Sequence, residues 1–395
     1  VTDAHGGLGL LVTIGLLLAL HNANRFGITG IFGPLRERYG GAYAAVGNLF
    51  SAYPIAYACA QIPVGWLADR ADPRRLILTG TATATVAGIL FAMSESYAVA
   101  FAARLVAGAC GALIYTPSMS FGINAFPRER RGTAIGVAYT GVGLGTAISI
   151  ASLPRLVDAA GLTPALLALA GFGVVMMVVS PIGLALRRPP RKAPATSAAS
   201  LLRQRPFQYL LGFSFLGFFN TYAILTWLPA YLTDVLGVEP AGAGALAALV
   251  NVSMTAASPF AGKLSDAFAS RRRILEIGAL ASVVAFVALG ATRSVALTVL
   301  AALLAGVSAA MTIAPMMVFA TERFGEGAAG LAVGMVNGIG QTGSSLSGVV
   351  FGPVLDATGS FAAIWWTCLP LALARYALLR AAGEAPASAS DPGRS

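Results

Sequence analysis

The chain is written in long apolar runs of roughly 20 residues or more, separated by short stretches that hold nearly all of its charge. Twelve runs can be drawn, at 8–33, 43–63, 75–94, 97–124, 132–154, 163–186, 207–230, 243–262, 273–291, 295–320, 329–353 and 360–380. Each is long enough to cross a bilayer as a helix. In lipid a helix satisfies its own backbone polar groups, so the pattern predicts an all-α membrane protein of twelve spans.

The interruptions divide the chain in two. Segment 187–206 is basic and rich in Pro, Ala and Ser, and reads as a linker between six-helix halves at 1–186 and 207–382. The small, polar tail at 383–395 is expected to be disordered. An internal repeat supports the split. Gly65-Trp66-Leu67-Ala68-Asp69 returns as Gly262-Lys263-Leu264-Ser265-Asp266, each followed by a basic cluster. Gly108, Pro117, Phe126, Gly132, Gly136 and Gly145 return at one constant offset as Gly306, Pro315, Phe324, Gly330, Gly334 and Gly343. Two like-oriented repeats are the plan of a rocking carrier with its site between the halves.

Composition sharpens the class. The 395 residues are 57% hydrophobic and 11% charged, and their mean hydropathy is +0.76, which leaves too little charged surface for a soluble protein of this size. The 46 glycines suit close helix contact in lipid. A net charge of +10 would point to nucleic acid in a soluble chain, but here the basic residues fall in alternate connections. Arg70, Arg74 and Arg75, then Arg128, Arg130 and Arg131, then Arg187 to Arg205, then Lys263 and Arg271 to Arg273 lie on one side. The intervening connections hold only Arg36, Arg38, Arg155 and Arg293. By the positive-inside rule both termini and the middle loop are cytoplasmic, and a prokaryotic inner membrane is the expected location. The first run extends too far and lacks the basic flank of a cleavable signal, so it reads as the first span. Cys59, Cys110 and Cys368 lie in apolar segments without metal-ligand spacing. No cofactor is implied, and no nucleophile with a base, metal cluster or phosphate loop marks an enzyme.

Candidate chemistry concentrates in the first span, at His21-Asn22-Ala23-Asn24-Arg25. His21 and Arg25 are one turn apart and Asn24 lies near the same face. Such a cluster is tolerated in a span where it lines a wet cavity, and a guanidinium fork suits a carboxylate or phosphate. The alternative is a structural cation on backbone carbonyls, with His21 in a helix–helix hydrogen bond. Polar residues that could complete a cavity are Tyr115, Tyr139, Asn220, Tyr222, Asn251, Asn337 and Gln341, each also open to an interhelical bonding role. Arg25 and Arg104 are the two arginines read as membrane-embedded, and one available cation favours a singly charged ligand over a phosphate. Arg104 can act in gating or snorkel to the outer surface. Asp69 and Asp266 are expected to latch the halves at the cytoplasmic end with Arg70, Arg74 and Arg271, each carboxylate holding arginines or a neighbouring helix N-terminus. Gly136, Gly141 and Gly145, and Gly330, Gly334 and Gly338, have the spacing that lets helices of opposite halves touch and slide.

The loop Gly65-Trp66-Leu67-Ala68-Asp69-Arg70-Ala71-Asp72-Pro73-Arg74-Arg75 resembles the signature between the second and third helices of the major facilitator superfamily, and the resemblance covers essentially the whole chain. Asp72 stands where the family usually has a second glycine. Arg104, Gly108 and Gly111 resemble the family's Arg-and-glycine motif in the fourth helix. The first-span cluster resembles the anion:cation symporter branch, which typically reads Asn-Tyr-x-Asp-Arg there. The stretches 225–232 and 126–132 resemble the same branch. The resemblance puts Arg25 on the branch's substrate-binding arginine and Asn24 in place of its aspartate. Gly111 falls where the branch has a glutamate used in proton coupling. Short Asn-x-Arg helices also occur in cyanate-permease-like proteins.

The resemblance implies a monomeric carrier that moves a small organic anion by alternating access. A monocarboxylate bound by Arg25 is the expected substrate, with a proton or a counter-anion as possible co-substrate. No Asp or Glu is placed deep inside a span, so a carboxylate-based proton symport lacks its carriers. Then His21 titrates, or the substrate brings its own proton, or the protein is an exchanger or uniporter. The main alternative is an efflux pump for apolar or cationic compounds, which would want an acidic residue in the cavity. A signalling sensor on the same fold would want a larger cytoplasmic docking surface than these short loops offer.

Overall fold

The computed structural model describes residues 2–40, 43–186, 197–268, 270–324 and 329–383. Twelve long helices take up the apolar runs: α1 Thr2–Phe26, α2 Tyr43–Ala68, α3 Pro73–Met93, α4 Tyr97–Asn124, α5 Arg131–Ala160, α6 Leu162–Ala185, α7 Arg205–Asp234, α8 Pro240–Ala267, α9 Arg271–Ala291, α10 Val295–Phe324, α11 Ala329–Thr358 and α12 Phe361–Ala382. No strand occurs among the described residues. Ten of these helices are long and apolar enough to cross a membrane, and α2 and α11, of 26 and 30 residues, are as long.

Local chemistry sets the helix ends. Asp72 caps α3 by accepting from the Arg74 amide at 2.9 Å, and Pro73 takes the first helical position, where its missing N–H costs nothing. Gly161 turns the chain from α5 into α6 at φ +91°, a value that glycine adopts freely. Prolines lie inside many of the helices, among them the repeat partners Pro117 of α4 and Pro315 of α10. Neighbouring helices make such interruptions tolerable in a membrane bundle.

Several connections differ from the sequence expectation. The first one holds a short helix, Phe32–Arg38, in which Arg38 donates to the carbonyl of Ala92 at 2.9 Å and to Thr163. Helix α5 runs on past 154, so Arg155 lies inside it and donates to the Ala151 carbonyl. A short helix forms at Ala198–Leu202 and α7 starts at Arg205, both within the stretch read as a linker. Residues 187–196 of that stretch, and 384–395 of the tail, lie outside the described residues.

Two helix pairs make the main contact between the first six and the last six helices: α2 against α11, and α5 against α8. Large apolar side chains that stay exposed form stripes on the outer helices, such as Val174, Val178 and Ile182 on α6, one turn apart. A stripe of this kind at the surface is solvated by lipid. Several buried polar residues, among them Arg25, Gln61, Asn337 and Gln341, lie instead where the two sets of six meet, and they position the site.

Candidate functional site

At the seam, α1 presents His21 and Arg25 on one face, four residues apart. Arg25 is 5% exposed, and its Nη2 donates to Oε1 of Gln341 on α11 at 2.9 Å. Its Nε has no hydrogen-bond partner among the described residues. The guanidinium lies 4.7 Å from the Phe26 ring and 5.8 Å from the rings of Tyr57 and Tyr222, so π faces rather than carboxylates surround it. Gln341 sits 12 residues along α11, or ~18 Å from its start at 1.5 Å per residue, which places the contact near mid-helix.

His21 is wedged among Tyr53, Tyr57 and Tyr115, with the Tyr53 hydroxyl 2.9 Å from Nδ1. Gly111 makes the space, since a Cβ there would stand 2.6 Å from the Tyr53 hydroxyl and 2.7 Å from His21 Nδ1. Imidazole and phenol thus fill the volume that a side chain at 111 would need. Beside them Asn337 Nδ2 donates to the Tyr57 hydroxyl at 2.7 Å, a second bond between α11 and the first six helices. The Tyr115 and Tyr139 hydroxyls are 3.5 Å apart. The fold therefore brings together His21, Arg25, Tyr115, Tyr139, Tyr222, Asn337 and Gln341.

Four sequence candidates stand elsewhere. Asn22 and Asn24 donate to carbonyls of their own helix, Leu18 at 3.0 Å and Leu20 at 3.1 Å. Asn24 lines a small recess with Phe91, Arg104 and Leu166, so it does not share the face of Arg25 as its spacing led us to expect. One residue on a helix is a 100° turn, and here that turn faces Asn24 into the first six helices. Asn220 is buried with both amide atoms unpartnered among the described residues, two positions from Tyr222 and hence on the opposite side of α7. Asn251 is half-buried on α8, where its carbonyl accepts from Thr255.

The residues that sequence reasoning passed over are on α2. Tyr53, Tyr57 and Gln61 recur every four residues, all are buried, and Gln61 Oε1 accepts from Thr116 at 2.5 Å while its Nε2 has no partner. A polar stripe at helical spacing inside an apolar run was the available signal. Arg375 was also passed over. It lies 3% exposed in α12 over the Phe213 ring at 4.4 Å, in space left by Gly217, and so is a third embedded arginine beside the two read from sequence. Arg104 does not snorkel outward. Its guanidinium is buried and donates to the carbonyls of Leu49, Asn24 and Arg25, at 3.1, 2.6 and 3.4 Å.

One end of the bundle is closed by two related clasps. Asp69 accepts from the amides of Gly330 and Leu331 at the start of α11, at 2.6 and 2.9 Å. Asp266 accepts from the amides of Gly132 and Thr133 at the start of α5, at 2.9 and 2.6 Å, and from the Thr133 hydroxyl at 2.7 Å. Each carboxylate thus meets the positive end of a helix from the other half. Arg271 joins the second clasp, paired with Asp266 and, at 3.3 Å, with Glu322. Arg70 instead turns back on Trp66, over its ring at 3.9 Å, and Arg74 gives its amide to the Asp72 cap. Burial pushes the Asp69 carboxyl up to about 6, against the lowering effect of the two amides and Arg70.

The glycines serve both kinds of contact. Gly330, Gly334 and Gly338 pack on α2 and Gly136 on α8, across the seam. Gly141 and Gly145 pack on Gly15 and Ala19 of α1, so they serve the interior of the first six helices and not sliding between halves. A separate cavity of about 540 Å³ between α1, α5 and α6 is lined by apolar side chains such as Leu16, Leu144 and Phe172, and Arg25 is not among its lining residues.

A twelve-helix bundle with polar groups along its seam and clasps at one end is the build of a membrane carrier. The chain matches the family model described as Major Facilitator Superfamily over residues 14–347, and again over 210–394. It belongs to that superfamily and is a transporter, not an enzyme. A probable sulfoacetate transporter of Cupriavidus necator is 25% identical, with 83% of this chain and 82% of that one covered. A probable chloroplastic anion transporter of Oryza sativa is 26% identical, covering 88% and 74%. Among solved structures, the transporter FucP in its outward conformation superposes with a TM-score of 0.78 at 15% identity, covering 95% of this chain and 99% of that one, a likeness of fold.

Proposed function

We propose that this chain carries a small organic anion with one acid group, a monocarboxylate by first choice, across a prokaryotic inner membrane by alternating access. The observation that carries the reading is Arg25: a buried guanidinium at the seam, with one hydrogen bond and no carboxylate against it. An anion supplies what that group lacks, because charge-assisted bonds are roughly twice as strong as neutral ones in such surroundings. Of the other embedded arginines, Arg104 is spent on three carbonyls and Arg375 lies over Phe213. The Arg375 Nε is unpartnered too, but its helix packs on others of the last six, so one such cation faces the seam, which suits one negative charge. The names of the relatives, a sulfoacetate and an anion transporter, support an anionic substrate.

His21, Tyr57, Tyr115, Tyr139, Tyr222, Asn337 and Gln341 shape the site around the bound group. Asp69, Asp266 and Arg271 hold the cytoplasmic end shut, with the basic connections and both termini on that side. The working unit is a monomer in lipid. The test is ligand-induced thermal stabilisation of the purified protein by pyruvate, glycolate, gluconate, sulfoacetate, phosphate and cationic drugs, with Arg25→Gln and Arg25→Lys alongside. Small acids should stabilise wild type, Lys should keep part of the effect and Gln none. Equal stabilisation of all three proteins by cationic or apolar compounds alone would sink the anion reading.

A further inference from the structure

The bond from Arg25 to Gln341 joins a residue of the first six helices to one of the last six, at the place where they must move apart. It is the guanidinium's one hydrogen bond among the described residues, and none of the groups around it brings a negative charge. From its own helix comes His21, from α2 Tyr53 and Tyr57, from α4 Tyr115, from α5 Tyr139, from α7 Tyr222 and from α11 Asn337. None is a carboxylate. Among the described residues every carboxylate lies in a connection or within a turn and a half of a helix end. A proton has no acidic group here on which to ride, and a proton on His21 would set two cations one turn apart.

We infer that this carrier is an obligate anion exchanger, in which the Arg25–Gln341 bond locks the empty protein and an anion seated on Arg25 releases it. The inference rests on the anion reading of Arg25. When the halves rock, Gln341 leaves and the guanidinium stays buried. An empty site would then hold an unneutralised charge in low dielectric without its bond to Gln341, which is unfavourable. A bound anion takes over the donors and neutralises the charge, so the loaded form alone turns over. The return then requires an anion from the other side.

The test compares uptake of labelled pyruvate, glycolate, gluconate and sulfoacetate into vesicles holding wild type or Gln341→Leu. Vesicles are preloaded with the same unlabelled anion or left empty. Preloading should raise wild-type uptake by roughly tenfold or more, and in Gln341→Leu the ratio should fall towards one. Equal wild-type uptake into empty and loaded vesicles, or uphill uptake into empty ones driven by a pH gradient, would overturn the inference. If none of the four anions moves, the substrate reading is what fails, and a ligand-free arm still decides the lock. Spin labels on cysteines at exposed Ser96 and Ser294, in a Cys59→Ser background, read the distance across the outer end. Anion-free wild type should give one population and Gln341→Leu a second, shorter one. Two populations in wild type would refute the lock.

Discussion

Among the described residues three buried guanidinia differ in what faces them, and that difference assigns their work. Arg104 stands at the end of α1, where helix carbonyls run out of partners, and donates to those of Asn24 and Arg25 and to Leu49 of α2. It is a positioning residue: it fixes the end of the helix that carries Arg25. A lysine keeps the charge but loses the planar fork. Arg104→Lys should therefore lower stability by ~2 kcal/mol, the scale of one or two lost charged hydrogen bonds, read as a fall in the thermal midpoint. It should also weaken anion-induced stabilisation, whereas a purely structural loss would leave the ligand shift intact.

Among the helices, α2, α5, α8 and α11 carry the contact between halves, and glycine makes their approach possible. A Cβ on Gly330 would stand 2.8 Å from the Ala68 methyl and 2.9 Å from Asp69 Oδ1, at the clasp itself. Its repeat partner Gly132 would meet the Gly262 carbonyl at 2.6 Å. Gly330→Ala or Gly132→Ala should therefore push the clasped ends apart, at a cost to that state of ~1–2 kcal/mol, a factor of roughly 5–30 in population. The readout is maleimide labelling of Ser265→Cys, a position buried at the clasped end, which should speed up by that factor. Unchanged labelling would mean that the neighbours absorb the methyl and the clasp does not gate.

At the scale of the whole molecule, the two states of the proposed alternating access differ in how they treat Asp69. With its pKa raised to about 6 in the clasped state by burial, and near ~3.9 when the end opens to water, the clasped state binds the proton more tightly. Acid thus favours the clasp: the contribution is fully present below about 4 and is lost as pH rises through 6. Lowering the pH from 7 to 5 should slow Ser265→Cys labelling beyond the intrinsic slowing of the thiol, measured against an exposed reference cysteine. Asp69→Asn should remove most of that difference.

Period, length and charge placement in the sequence determined the twelve helices, because a lipid-spanning helix must be long, apolar and self-bonded, and that requirement is local. The repeat made both carboxylate loops legible for the same reason: each is a short contiguous motif. The cluster at His21 and Arg25 was legible as charge in an apolar run, down to the shared face. What the tertiary structure alone decided was rotation and partnership. Asn24 faces away from the seam although its spacing allowed otherwise, because the neighbouring helices, and not the helix itself, fix which side is inward. Arg375 and the Tyr53–Tyr57–Gln61 stripe gained their meaning only from the residues packed on them. Gln341 became the partner of Arg25 across 316 positions of chain, a pairing that no local pattern encodes.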